Sequence, residues 1–170
     1  EALAAGAVRL AIDQCALQPV LHNELLESFI QTAQSTKSSL VQLYLASALQ
    51  YTHGERWWTL AETLVGQSQL SDDRTYPLLV WYGVERSIAQ SPDRALTLVQ
   101  KSKLPIVTSF IVRRIGLDVD QWSAPLDAIL AWAATSDADN QAAVVEGLSQ
   151  AATGRVKFPP LPAWIAFAKK

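Results

Sequence analysis

An all-α chain built as a row of antiparallel helical hairpins is the fold class that three features of the sequence predict. Apolar residues recur at helical spacing almost from end to end, no convincing alternating strand interrupts them, and helices apolar on every side alternate with helices apolar on one side. A first helix is expected over about 2–16, up to the break at Pro19. The second, about 21–35, carries Leu21, Leu25, Phe29 and Ala33 every fourth residue, with Leu26 and Ile30 beside them. A polar turn at Ser35, Thr36 and Lys37 precedes a third, about 37–51, which His53-Gly54 closes. The fourth, about 55–67, has the stripe Trp57, Leu60, Ala61, Leu64 and Val65, and Ser68 to Thr75 reads as a polar loop.

Pro77 opens a fifth helix, about 77–89, because proline is well tolerated at the first helical position. Ser91-Pro92-Asp93 starts a short sixth, about 92–101: Ser91 is expected to cap, Pro92 presets φ, and Asp93 favours the positive end of the dipole. Pro105 opens a seventh that stops at Gly116, after two cations suited to a helix C-terminus, Arg113 and Arg114. An eighth, about 122–135, aligns Trp122, Leu126, Ile129, Leu130 and Ala133. Asp139 is expected to cap a ninth, about 140–153, which Gly154 ends. The run Phe158-Pro159-Pro160-Leu161-Pro162 is extended, and Trp164, Ile165 and Phe167 are expected to dock the tail on the last helix.

About nine helices with short loops form pairs. The third, fifth and seventh are nearly apolar all round, as in Pro105-Ile106-Val107-Thr108-Ser109-Phe110-Ile111-Val112, and their partners are one-sided. A stack of hairpins with a unit of about 30–40 residues accounts for that alternation. The predicted architecture is a HEAT-like, right-handed solenoid over residues 1–153, with a Pro-rich tail at 154–170. A closed bundle is the competing arrangement.

Composition bounds the function. The 170 residues carry 14 basic and 16 acidic side chains, a formal charge of −2, so no basic field marks a nucleic-acid binder. With 49% hydrophobic residues there is material for a sizeable core. No apolar run approaches the ~20 residues of a membrane span. The single Cys15 cannot form an internal disulfide or a thiolate metal site. The chain has no methionine and begins at Glu1, which suggests a processed or excised piece of a larger protein; no signal-peptide pattern is present.

Each chemistry-bearing group has a structural reading beside the functional one. His22 and His53 do not fall in a zinc-binding spacing, and His53 before Gly54 suits a helix C-terminus. Asp72-Asp73 is similar to the aspartate-rich metal motif of some helical lyases but lacks carboxylates one turn on, so a helix-start carboxylate is the favoured reading. Arg113-Arg114 suits an anion clamp or a helix-end charge. Glu85, four residues after Trp81, is either a desolvated acid or the partner of Arg113 in a structural ion pair. Trp57, Trp58, Trp81 and Trp132 read as core or inter-repeat anchors, and Trp58 and Tyr82 are the aromatics best placed to be presented to a partner. No Gly-rich phosphate loop, nucleophile elbow or Cys-x-x-Cys-His haem motif occurs, so no catalytic, cofactor-binding or metal residue is assigned.

Several stretches together resemble a known family. They are Val41-Gln42-Leu43-Tyr44-Leu45-Ala46-Ser47-Ala48-Leu49-Gln50 with Arg56-Trp57, Leu78 to Glu85 followed by Asp93-Arg94-Ala95-Leu96-Thr97-Leu98, and Lys101 to Pro105 with Phe110 to Ile115. In that order, with Glu146-Gly147-Leu148 through Pro162-Ala163-Trp164, they are similar to the HEAT-repeat region of the large planctomycete-type membrane-bound dehydrogenase, or haem-binding Cys-x-x-Cys-His, proteins. The resemblance implies a helical module between a sugar-dehydrogenase-like β-propeller and a c-type cytochrome domain, outside the cytoplasm. The chain departs from the family at Asp73-Arg74-Thr75-Tyr76-Pro77, where an Asn-Leu-Pro is usual. The expectation is a non-catalytic scaffold or protein-interaction module whose partners are neighbouring domains or another protein, with no cofactor, nucleic acid, membrane span or small-molecule substrate. A free-standing peptide-binding solenoid is the alternative, and a small HEAT-like lyase or glycosylase a more distant one.

Overall fold

The computed structural model describes residues 2–17, 22–52, 54–155 and 157–169. The described residues are helical with no strand, in the order α1 (Ala2–Leu17), α2 (His22–Ser35), α3 (Ser39–Ala48), α4 (Glu55–Val65), α5 (Tyr76–Gln90), α6 (Ala95–Lys101), α7 (Pro105–Leu117), α8 (Val119–Ala133), α9 (Ala138–Ala152) and α10 (Trp164–Phe167). They form two units, Glu1–Val84 and Glu85–Lys170, with the boundary inside α5.

In the first unit α1 packs on α3 and α2 on α4. Leu26 and Phe29 of α2, Val41 and Leu45 of α3, and Leu60 and Leu64 of α4 form its buried interior. In the second unit α6 packs on α8 and α7 on α9, around Leu98, Val107, Ile111, Ile115, Leu130 and Val144. Within each unit these helices thus rest on the next helix but one.

Helix ends carry carbonyls without an intrahelical partner, and a buried one costs free energy unless a donor reaches it. Here the donors come from the segments that follow. The Ala33 carbonyl of α2 accepts from Gln42 Nε2 (2.9 Å) and Gln67 Nε2 (3.3 Å). The Leu49 carbonyl, just past α3, accepts from the Trp57 indole N–H (2.9 Å). The Leu64 carbonyl of α4 accepts from the Tyr76 hydroxyl (2.9 Å). In the second unit Gln141 Nε2 donates to the Ala133 (3.1 Å) and Ser136 (3.0 Å) carbonyls.

Local starts differ from expectation in three places. Asp137, not Asp139, caps α9: its extended backbone (φ −68°, ψ 169°) lets its carboxylate accept the Asn140 N–H at 2.9 Å. Ser91 makes no side-chain capping bond; Pro92–Arg94 form a 3₁₀ turn that leads into α6 instead. The eighth helix begins at Val119 rather than near 122, with a kink at Trp122 (φ −115°, ψ 34°). Pro125 explains the kink, because it has no N–H for the residue 121 carbonyl and its ring crowds that oxygen.

Close packing of α7 on α9 depends on two residues without side chains. A Cβ on Gly147 would lie 2.8 Å from Val112 Cβ and still nearer the Ser109 carbonyl, and one on Gly116 would lie 2.7 Å from Ala151 Cβ. Gly6, in the middle of α1, has nothing within 4 Å of such a Cβ. Gly147→Ala should therefore lower stability by about 1–3 kcal/mol through overpacking, and Gly6→Ala should raise it by up to about 1 kcal/mol through helix propensity. Urea unfolding of the two variants against the parent chain measures both signs.

Candidate functional site

The tryptophans separate into core and rim. Trp57 and Trp58 meet edge to face, with centroids 4.9 Å apart and rings at 87°, and both are buried. Trp58 is only 8% exposed, which agrees with the core-anchor reading and not with the alternative of presentation to a partner. Tyr82 is presented: it is 56% exposed while the adjacent Trp81 takes the buried position. Consecutive residues of a helix point about 100° apart, and in α5 that puts Trp81 in the interior and Tyr82 at the surface.

The arginines are engaged locally. Arg113 donates to Gln150 Oε1 of α9 (3.4 Å) and lies over the Phe110 ring (5.1 Å); its hydrogen bond goes to Gln150 rather than to Glu85, which is half-buried at the start of the second unit. Arg114 pairs with Asp118 one turn on and stacks over Trp122 at 4.8 Å. A clamp for a free anion would leave the guanidinium fork open, and here a carboxylate and an indole occupy it.

Asp73 reads as a helix-start carboxylate. It accepts the Thr75 N–H (2.8 Å) and the Tyr76 N–H (2.7 Å), and these two backbone bonds hold its carboxyl below the usual carboxylate range, Tyr76 first. Burial pushes the Tyr76 phenol far above its ordinary range, so it stays a donor to Leu64. Among the described residues no group of three His, Cys, Asp or Glu side chains could hold a metal ion. A buried hydroxyl becomes a nucleophile only beside a base, and Thr108 Oγ1 and Ser109 Oγ are buried without a hydrogen-bond partner among the described residues. The His22 side chain, the Cys15 side chain and His53 lie outside the described residues. No helix of the described residues is long and apolar enough to cross a membrane.

Two concavities stand out, neither of them assigned from the sequence. In the first unit Arg9, Ile12 and Asp13 of α1 face Tyr44, Ser47 and Tyr51 across about 220 Å³. In the second, the C-terminal tail and α9 enclose an apolar groove of about 520 Å³. The tail does not simply lie along α9. α10 packs on α8, the Ala163 N–H donates to Asp127 Oδ1 (2.7 Å), and Arg155 bonds Asp120 of α8 (2.6 Å). Leu161 and Phe167 are buried by this arrangement, and a groove is left beside α9. The tail's aromatic and proline content signalled docking, but two aspartates of α8 fix the place.

Compared with known proteins, the chain matches no family model, no curated protein and no solved structure.

Asp73→Ala should cost about 0.5–2 kcal/mol at neutral pH, as for other caps. Because the folded carboxyl titrates below its unfolded value, this contribution is full above about pH 4 and fades as pH falls through the lowered folded value. Urea unfolding of parent and variant at pH 7 and near pH 2 should show the difference shrink at the acid end.

Proposed function

We propose that this chain is a non-catalytic helical-repeat scaffold of the HEAT-like solenoid type, an interaction module that holds protein partners in place. The observation that carries the reading is the packing order inside each unit, α1 on α3 with α2 on α4, and α6 on α8 with α7 on α9. Hairpin against hairpin is the unit from which solenoids are built, and such stacks serve as extended docking surfaces. The engagement of Asp73, Arg114 and Arg155 in caps and pairs also favours a structural role for these charges. Exposed Tyr82 is the aromatic this reading assigns to partner contact. Its sequence resemblance favours a place in a larger redox protein, between a dehydrogenase-like propeller and a c-type cytochrome domain.

In a repeat stack each unit is stabilised chiefly by its neighbours, so damage stays local. Leu45→Ala, at a fully buried position of α3, removes about 2–5 kcal/mol of core packing. Native-state hydrogen exchange should then show faster exchange through α1–α4 with α9 protection retained. A uniform loss across both units would indicate one closed core and overturn the solenoid. In the parent coding sequence, a Cys-x-x-Cys-His motif downstream supports the redox context, and a stop codon directly after Lys170 excludes it.

A further inference from the structure

The groove between α9 and the tail has walls of contrasting kind. Leu148 and Leu161 are nearly fully buried along it, while Val145, Trp164 and Ile165 stand half-exposed or more; Trp164 is 47% and Ile165 65% exposed. Its volume of about 520 Å³ falls within the ~300–1,000 Å³ of small-molecule sites. The Ser149 hydroxyl and the Trp164 indole N–H are the polar groups among the lining side chains. Pro159 and Pro160 line it as well and have no N–H to offer. A peptide backbone laid there would find few partners for its own polar groups, each costly to bury unpaired, whereas a hydrocarbon chain has none to satisfy.

Charge narrows the occupant. From Gly154 to Lys170 the sequence carries Arg155, Lys157, Lys169 and Lys170 and no acid, in a chain whose formal charge is −2. Arg155 is taken by Asp120 and the Phe158 ring, while Lys157 and Lys169 are exposed. Lys157 directly precedes Phe158, which lines the groove. The nearest acid on α9, Glu146, accepts from Gln150 at 2.6 Å. An apolar trough next in sequence to an exposed lysine is complementary to a molecule that is hydrocarbon along its length and negative at one end.

We propose that the groove between α9 and the C-terminal tail binds an anionic amphiphile, its single aliphatic chain lying along Leu148, Leu161 and Trp164 and its carboxylate beside Lys157. The assignment is independent of the scaffold reading and stands or falls separately from it.

The test uses the whole 170-residue chain, titrated with sodium decanoate below its micelle concentration and, in parallel, with 1-decanol. Calorimetry should give one saturable decanoate site, with amide shifts at Val145, Ser149 and Ile165. Ser149→Trp, at an exposed helix position, fills the groove and should weaken decanoate at least roughly tenfold. Trp164→Ala removes a wall at an exposed position and should weaken it in the same direction, which keeps the test decisive if the first variant misfolds by circular dichroism. Lys157→Glu should weaken decanoate several-fold and leave decanol unchanged. No saturable site, or parent-like decanoate affinity in both groove variants, overturns the proposal. So does self-association of the parent that Trp164→Ala abolishes, because the groove would then be covered by a second copy.

Discussion

The structure depends on one constraint: each helix end buried by the next helix must find its hydrogen-bond donors there. The incoming segment covers these ends, so the burden falls on its side chains. Gln42 with Gln67, Trp57, Tyr76 and Gln141 meet it at Ala33, Leu49, Leu64 and Ala133 respectively. Apolar contact alone is non-directional and would tolerate a range of crossing angles. A donor aimed at a single carbonyl permits only a narrow one. The same device recurs in both units, although the residues that perform it differ.

Small residues set the remaining distances. Gly147 and Gly116 let α7 and α9 approach until backbone meets side chain, and Gly83 does the same for α5 against Leu49. Acids and arginines then tie down what helix packing leaves loose. Asp73 closes the loop before α5, while Asp120 and Asp127, both on α8, hold the tail at two points. Charges used in this way are structural.

Much of the helical order was legible because apolar spacing and proline position are local properties. The span of α5 followed from Pro77, and the buried face of α4 from Trp57, Leu60, Ala61 and Leu64. Capping was less legible: Asp137 and Asp139 are equal candidates by residue type, and only backbone dihedrals choose between them. Trp58 takes the core-anchor position that its helical spacing suggested, because an aromatic beside another in sequence can share its interior, edge to face. The groove was invisible for a stronger reason. Its walls, Val145 to Ala152 and Phe158 to Ile165, are joined by a turn whose path is set by Asp120 and Asp127, far back in the chain.

The most direct test of the carbonyl-capture constraint is the unfolding free energy of Tyr76→Phe, which removes one oxygen and keeps the ring. Without the hydroxyl, the Leu64 carbonyl retains the longer bond from the Gln67 N–H at 3.3 Å. A loss of about 1 kcal/mol with an unchanged helical spectrum is the predicted result. Equal or greater stability in the variant would contradict the account, since the buried carbonyl would then have no need of its donor.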